Sequence, residues 1–257
     1  MNSLYLSPGE VISAYCAGSE KKFRSSALRL LLLGVLAGAI IAAAAAASNT
    51  AVYGISDTWT LRTICALLFP FGLGLVIVTG SELFTGNCML PVALLDRRGT
   101  VGQMLRNWVL VYVGNFIGAL FFVYVMIWCA GIVDADPWKS AIVQIAQTKT
   151  SLPWGVVFVK GIGANWLVCV AVWLGFSAHS TAGKMMGLWF PVMCFVAIGY
   201  EHSIANMFFI PLGMLQGASV TWGQFLLDNL VPATLGNIVG GALFVGCVYT
   251  YLYLSRK

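Results

Sequence analysis

Hydrophobic and polar positions alternate along this chain on a long scale, in apolar blocks of twenty to thirty residues separated by short charged stretches. A membrane-spanning helix needs about 20 mostly apolar residues. Six windows meet that requirement, at 27–47, 63–95, 108–131, 154–178, 185–213 and 230–254. They predict an all-α membrane protein of six transmembrane helices. The second and fifth windows are longer than one span and contain Gly, Pro and an acidic residue, so both helices are predicted to be broken. Before the first window, Ser7-Pro8-Gly9-Glu10 has a cap residue, a proline at the first position and a glutamate placed to reach back, which predicts a short interfacial helix within residues 1–26. The alanine run that closes the first window resembles a signal-peptide cleavage site. Its charged leader is too long and its apolar stretch is of spanning length, so the window is taken as a span.

Composition agrees with this pattern: 60% of the residues are apolar and 9% are charged, against about a quarter charged in soluble domains. The net charge of +5 sits at the ends of the windows. Lys21, Lys22, Arg24, Arg29, Arg97, Arg98, Arg106, Lys184, Arg256 and Lys257 fall on one side, and Arg62, Lys139 and Lys149 on the other, with Lys160 just inside the fourth window. Because positive flanks stay in the cytoplasm, both termini are predicted to be cytoplasmic. Basic residues distributed in this way form no nucleic-acid footprint. The seven cysteines have no paired spacing and read as small buried hydrophobes, which excludes a disulfide framework.

The two halves repeat. Gly80-Ser-Glu82-Leu-Phe-Thr-Gly-Asn87 and Gly199-Tyr-Glu201-His-Ser-Ile-Ala-Asn206 share one pattern. Asn107 and Asn229 are each followed seven residues later by Gly-Asn, at Gly114-Asn115 and Gly236-Asn237, and then by Gly118 and Gly240. Offsets of 119 and 122 residues are nearly equal, so one duplication accounts for both matches. Three spans per half require the halves to be inverted, which places the transport path at their interface. The expected organisation is one transmembrane channel domain over 1–257, with a first repeat at 27–131 and an inverted second repeat at 154–254.

Glu82 and Glu201 are the acidic residues within the windows, and they occupy equivalent positions. A buried unpaired carboxylate costs several kcal/mol, so both are assigned to structural support, as braces holding the amides freed at the breaks. His202 has no counterpart in the first half. Its imidazole suits hydrogen bonding or proton transfer to a passing anion, the alternative being a neutral histidine bonded to Glu201 or a carbonyl. Thr85 and Asn165 add donors. Phe69, Leu73, Leu83, Phe84 and Phe195 would serve as apolar constrictions that exclude hydrated ions.

These motifs, together with Ala164-Asn165-Trp-Leu-Val-Cys in the fourth window, closely resemble formate/nitrite transporters over nearly the whole chain. The resemblance implies an aquaporin-like fold, a homo-pentamer in a bacterial cytoplasmic (inner) membrane, and one pore per protomer. Carried over by position, it makes Leu73, Leu83, Phe84 and Thr85 line a cytoplasmic constriction, with Phe69 nearby, and makes Phe195 close the periplasmic side. His202 would lie between, positioned by Glu201 and Asn165, with Val168 and Asn206 close by. Lys149, in the long loop before the fourth helix, would attract anions. The implied cargo is a small monovalent anion of a weak acid. Formate and hydrosulfide rank together and nitrite just behind, although the Ser-Glu-Leu-Phe-Thr-Gly variant leans toward nitrite and hydrosulfide. Shedding water would raise the proton affinity of such an anion and let it cross as neutral acid, with the proton drawn either from His202 or from bulk water.

Rival classes fare less well. An aquaporin-like neutral-solute channel lacks Asn-Pro-Ala at either break, and an enzyme lacks His-Glu-x-x-His, Gly-x-Ser-x-Gly and any metal-ligand spacing. Haem ligation would need facing histidines, and the chain has two, His179 and His202, expected at different depths. No cofactor or metal is expected. A proton-coupled secondary transporter of the same anions stays open as the alternative to a channel.

Overall fold

The computed structural model describes residues 5–254, and among them it is all helix apart from one isolated bridge between Tyr5 and Ala178. We label the helices α1 (Pro8–Arg24), α2 (Ala27–Thr50), α3 (Thr58–Thr79), α4 (Phe84–Leu95), α5 (Val101–Trp128), α6 (Trp138–Ser151), α7 (Trp154–Ser177), α8 (Thr181–Ile198), α9 (Ser203–Leu215) and α10 (Gln224–Tyr253). Six of them, α2, α3, α5, α7, α8 and α10, are long and apolar enough to span a bilayer. The short α4 and α9 follow α3 and α8 after four-residue gaps at 80–83 and 199–202.

Local chemistry explains where the helices begin and stop. Glu10 accepts hydrogen bonds from the Ser7 amide at 2.7 Å and the Ser7 hydroxyl at 2.6 Å, which starts α1. Thr100 with Gln103 and Thr221 with Gln224 make one reciprocal cap twice, at the starts of α5 and α10. The helices α3 and α8 end at Gly80 and Gly199, whose φ values of 71° and 79° lie in the left-handed region that favours glycine. Close packing follows from small residues: a Cβ on Gly118 would fall 1.9 Å from the Val35 carbonyl oxygen, and one on Gly240 would fall 2.2 Å from that of Ile162. So α2 packs on α5, and α7 on α10, nearly backbone to backbone.

One expectation is corrected. The stretch before the fourth span is not a long loop but contains α6, which packs along α9 through Ile142 and Ala146. Helix α1 packs against the bundle. It buries Val11, Ile12, Tyr15, Cys16 and Phe23 in a cluster with Met89, Leu90 and Trp173, so α4 and α7 form its floor. Leu6 also donates to the Ser177 carbonyl at 2.8 Å, and Arg98 bridges to Glu20 at 3.3 Å. The cysteines divide: Cys16, Cys65, Cys88 and Cys169 are buried, whereas Cys129 and Cys194 are exposed.

Candidate functional site

Each gap leaves backbone groups without helical partners, and in a membrane interior these must be satisfied by protein. An asparagine does this at both. Asn115 Oδ1 accepts from the Phe84 amide at 2.9 Å, and Asn115 Nδ2 donates to the Glu82 carbonyl at 3.0 Å and the Gly34 carbonyl at 2.8 Å. Asn237 repeats the set, with Ser203 N at 2.9 Å, Glu201 O at 3.0 Å and Gly161 O at 2.8 Å. The amides of Glu82 and Glu201 reach the carbonyls of Leu33 and Lys160. The braces of the gaps are therefore Asn115 and Asn237. The Glu82 and Glu201 carboxylates, expected to hold the freed amides, turn away and bind side chains instead, because a fixed amide supplies a donor and an acceptor together where a carboxylate only accepts.

The carboxylates anchor two matching clusters. Glu82 Oε2 receives Lys22 Nζ at 2.9 Å and Asn87 Nδ2 at 2.7 Å, and Asn87 Nδ2 also donates to Asn107 Oδ1 at 2.9 Å. Glu201 receives Lys149 Nζ at 3.0 Å on both oxygens and Asn206 Nδ2 at 2.7 Å, and Asn206 Nδ2 also donates to Asn229 Oδ1 at 2.7 Å. Lys149 was expected as a vestibule cation. It does line a cavity, but its charge is matched by Glu201 and its ammonium lies 5.6 Å from the Phe209 ring centre. Lys22, by its place in the sequence a topology flank, is the matching cation of the first cluster. The signal that finds it is spacing: Lys22 and Gly34 are twelve residues apart, as are Lys149 and Gly161.

Two cavities open on these clusters. The one beside Lys149 measures about 400 Å³ and is lined by Phe69, Phe195, His202, Asn206, Lys149 and Lys160 among others. The one beside Lys22 measures about 490 Å³, with Leu73, Leu83, Tyr15, Glu82, His179 and Lys184 in its wall. Phe69 and Phe195 meet edge to face at 5.8 Å. Phe69 thus belongs with Phe195 and not with Leu73, as the resemblance had placed it. Buried Leu73 and Leu83 close the Lys22 side.

His202 lines the Lys149 cavity beside Phe195 and reaches the buried Thr85. Its ring stacks on Phe195 at 5.8 Å, its Nδ1 accepts from the Ala205 amide at 3.1 Å as the cap of α9, and its Nε2 lies 3.1 Å from Thr85 Oγ1. An Nδ1 that accepts carries no proton, so Nε2 holds the hydrogen of the neutral ring and donates it to Thr85. The Thr85 hydroxyl hydrogen is then free to meet a passing acceptor. Among the described residues neither Glu201 nor Asn165 makes a hydrogen bond to the His202 ring. Asn165 Nδ2 instead links the Thr85 carbonyl at 3.1 Å to the Asn237 carbonyl at 2.6 Å, holding the first gap to the brace of the second.

Phe84 lies elsewhere than expected and faces neither cavity. It packs edge to face on Tyr112 at 4.8 Å and on Trp108 at 6.1 Å, because successive residues in the first turn of α4 point in different directions, Leu83 into the cavity, Phe84 at α5 and Thr85 at His202. Val168 is buried on α7, outside both cavity linings. Among the described residues no group of three or more metal-binding side chains forms.

Comparison with known proteins points one way. The family model described as "Formate/nitrite transporter" matches residues 9–251. A "Probable formate transporter" of Methanothermobacter thermautotrophicus is 42% identical, the match covering 100% of both chains. A solved "FNT family ion channel" superposes with a TM-score of 0.88 at 31% identity, over 95% of this chain and 98% of the other. A "Pentameric formate channel with formate bound" superposes with a TM-score of 0.79 at 33% identity, over 89% and 98%.

Proposed function

The chain belongs to the formate/nitrite transporter family, a family of channels and transporters, and we propose that it is a membrane channel for small monovalent anions of weak acids, with formate foremost and nitrite and hydrosulfide as further cargo. One observation carries the reading: the pair of uncharged donors, His202 and Thr85, joined at 3.1 Å beside the Phe69–Phe195 closure. A hydrated ion loses its shell at the phenylalanines, and desolvation raises the proton affinity of a weak-acid anion. Chloride, conjugate to a strong acid, gains nothing from this and is held back. His202 polarises the cargo through Thr85 and keeps its own proton, since an imidazolium capping α9 would lose the Ala205 bond and oppose the helix dipole. The proton comes from cavity water.

The basic flanks support a cytoplasmic Lys22 side in a cytoplasmic membrane. The pentameric neighbour, together with the exposed apolar faces of α2 (Leu28, Leu32, Leu36) and α5 (Val109, Val113, Ile117), supports a homo-pentamer with one pore per protomer.

Uptake by proteoliposomes tests the function. Formate is expected to enter faster as the pH falls, chloride is expected to be excluded, and His202→Asn is expected to slow formate and flatten its pH profile. Entry of water or glycerol without any of the anions would overturn the assignment, and wild-type behaviour of His202→Asn would remove the histidine from it.

A further inference from the structure

The cavity beside Lys149 is lined by two further cations that the paired cluster does not use, Arg62, exposed near the outer start of α3, and Lys160, deeper beside the second gap. Glu201 is the one carboxylate among its lining residues, and Lys149 holds both of its oxygens. Lys160 lines the same cavity, partly exposed, and makes no side-chain hydrogen bond or ion pair among the described residues. It lies six residues into α7 from Trp154, about 9 Å along the helix at 1.5 Å per residue, and its carbonyl accepts from the Glu201 amide, so its backbone abuts the second gap. An unpaired ammonium at that depth is costly unless it faces water or meets an anion. At the equivalent place in the first half, where the carbonyl accepts from the Glu82 amide, the residue is Leu33, which lines neither cavity.

We propose that Lys160 is the docking cation for entering anions on this side, binding a small monovalent carboxylate or oxoanion before it reaches the Phe69–Phe195 closure. This inference rests on the channel reading above and assigns the capture step to Lys160, while Lys149 keeps Glu201 neutralised. A neutral Lys149–Glu201 pair attracts an anion only over short range, whereas an uncompensated charge inside a low-dielectric mouth concentrates anions by one to three orders of magnitude at low salt. The occupant is small because a closure made of two aromatic rings follows, and singly charged because Lys160 is the one unpaired cation beside the gap, Arg62 standing exposed near the outer start of α3.

The test is the concentration dependence of formate uptake through the full-length protein, with Lys160→Gln and the charge-conserving Lys160→Arg. At an ionic strength of about 0.01 M, Lys160→Gln is expected to raise the half-saturating formate concentration about fivefold or more with little change in the saturated rate, and at about 1 M salt the difference is expected to vanish, because the screening length falls from about 30 Å to about 3 Å. Lys160→Arg is expected to restore the low-salt value. Wild-type half-saturation and salt dependence in Lys160→Gln would overturn the inference and leave the channel intact. A lower saturated rate in both variants would make Lys160 a packing residue and also overturn it. If the wild-type protein admits no formate, the channel reading and this inference fall together.

Discussion

Around Glu82 and around Glu201 the chain builds the same lysine–glutamate–asparagine–asparagine set, yet the residues beside the two sets differ in kind. Where the second gap has His202, the first has Leu83, and where the first has Thr85, the second has Ile204. Asn165 and Lys160 on α7 correspond to Gly38 and Leu33 on α2, all at the 127-residue spacing that relates Lys149 to Lys22. The bonds that hold each gap open are duplicated, while the groups able to act on a solute appear once. The duplicated sets answer a demand made equally by both gaps, that backbone and carboxylate be satisfied away from water. The unpaired groups answer a demand that arises once along a single path.

The sets are not equally deep, and that gives the largest expected effect. The Lys149 and Glu201 side chains are 18% and 4% exposed, against 23% and 9% for Lys22 and Glu82. Lys149→Met strands a buried carboxylate and is expected to cost about 3–5 kcal/mol, read as lower thermal stability in detergent. Adding Glu201→Gln is expected to recover most of it, because the charge leaves with its partner. Lys22→Met should cost less, about 1–2 kcal/mol, since cavity water partly screens Glu82. Equal losses at both lysines would break the comparison. The orphaned atoms differ too: Lys22 also bonds Asn87 Oδ1 at 2.6 Å, whereas the corresponding Asn206 Oδ1 has no partner, and in the first set it is Asn107 Nδ2 that lacks one.

The next effect is on transport. Thr85→Val keeps the β-branched shape found at Ile204 and removes the hydroxyl, leaving the His202 Nε2 hydrogen without an acceptor. A lost buried hydrogen bond of about 1.4 kcal/mol corresponds to about a tenfold slower step, so formate uptake should fall about tenfold while thermal stability changes little more than 1–3 kcal/mol. Uptake unchanged in Thr85→Val would mean that His202 meets the cargo directly, and the asymmetry would then reside in one residue instead of two.

How much of this was legible in the sequence follows from what each feature depends on. The six spans were, because apolar length is a one-dimensional property, and the helices found at 27–50, 58–79, 101–128, 154–177, 181–198 and 224–253 overlap the six windows. Helix α6 is polar on one face and too short to span, so hydropathy does not reveal it. The acids stood out as costly and drew the bracing role, while Asn115 and Asn237 registered only as repeat markers. Nothing in composition tells which of two polar residues turns toward a freed amide. Lys22 was absorbed into the flank count, since a lysine that pairs with a buried acid looks like one that faces cytoplasm until the chain folds back. Phe84 shares its motif with Leu83 and Thr85, and only the helical turn separates their directions.

The smallest expected effect lies at the outer end of α3, where the two halves use different caps. Asp57 caps α3, its carboxylate accepting from the Thr60 amide at 2.7 Å, and Ser180 caps α8, its hydroxyl accepting from the Gly183 amide at 3.0 Å. Only the first of these titrates. Its bonds to Thr60 hold the Asp57 carboxyl below its ordinary value of 3.8. A carboxyl whose folded pKa is lowered contributes stability above the unfolded value, and the contribution is lost as pH falls through the folded value. The start of α3 should therefore loosen below about pH 4, while the start of α8 does not. Amide exchange at Thr60 and Leu61, compared with Gly183 and Lys184 between pH 5 and pH 3 after correction for intrinsic rates, reads this directly. Asp57→Ser should make the two ends respond alike, giving α3 a cap of the kind α8 already has. If acid loosened both ends equally in the wild-type protein, the cause would be a charge shared by the whole bundle and not the cap that distinguishes its halves.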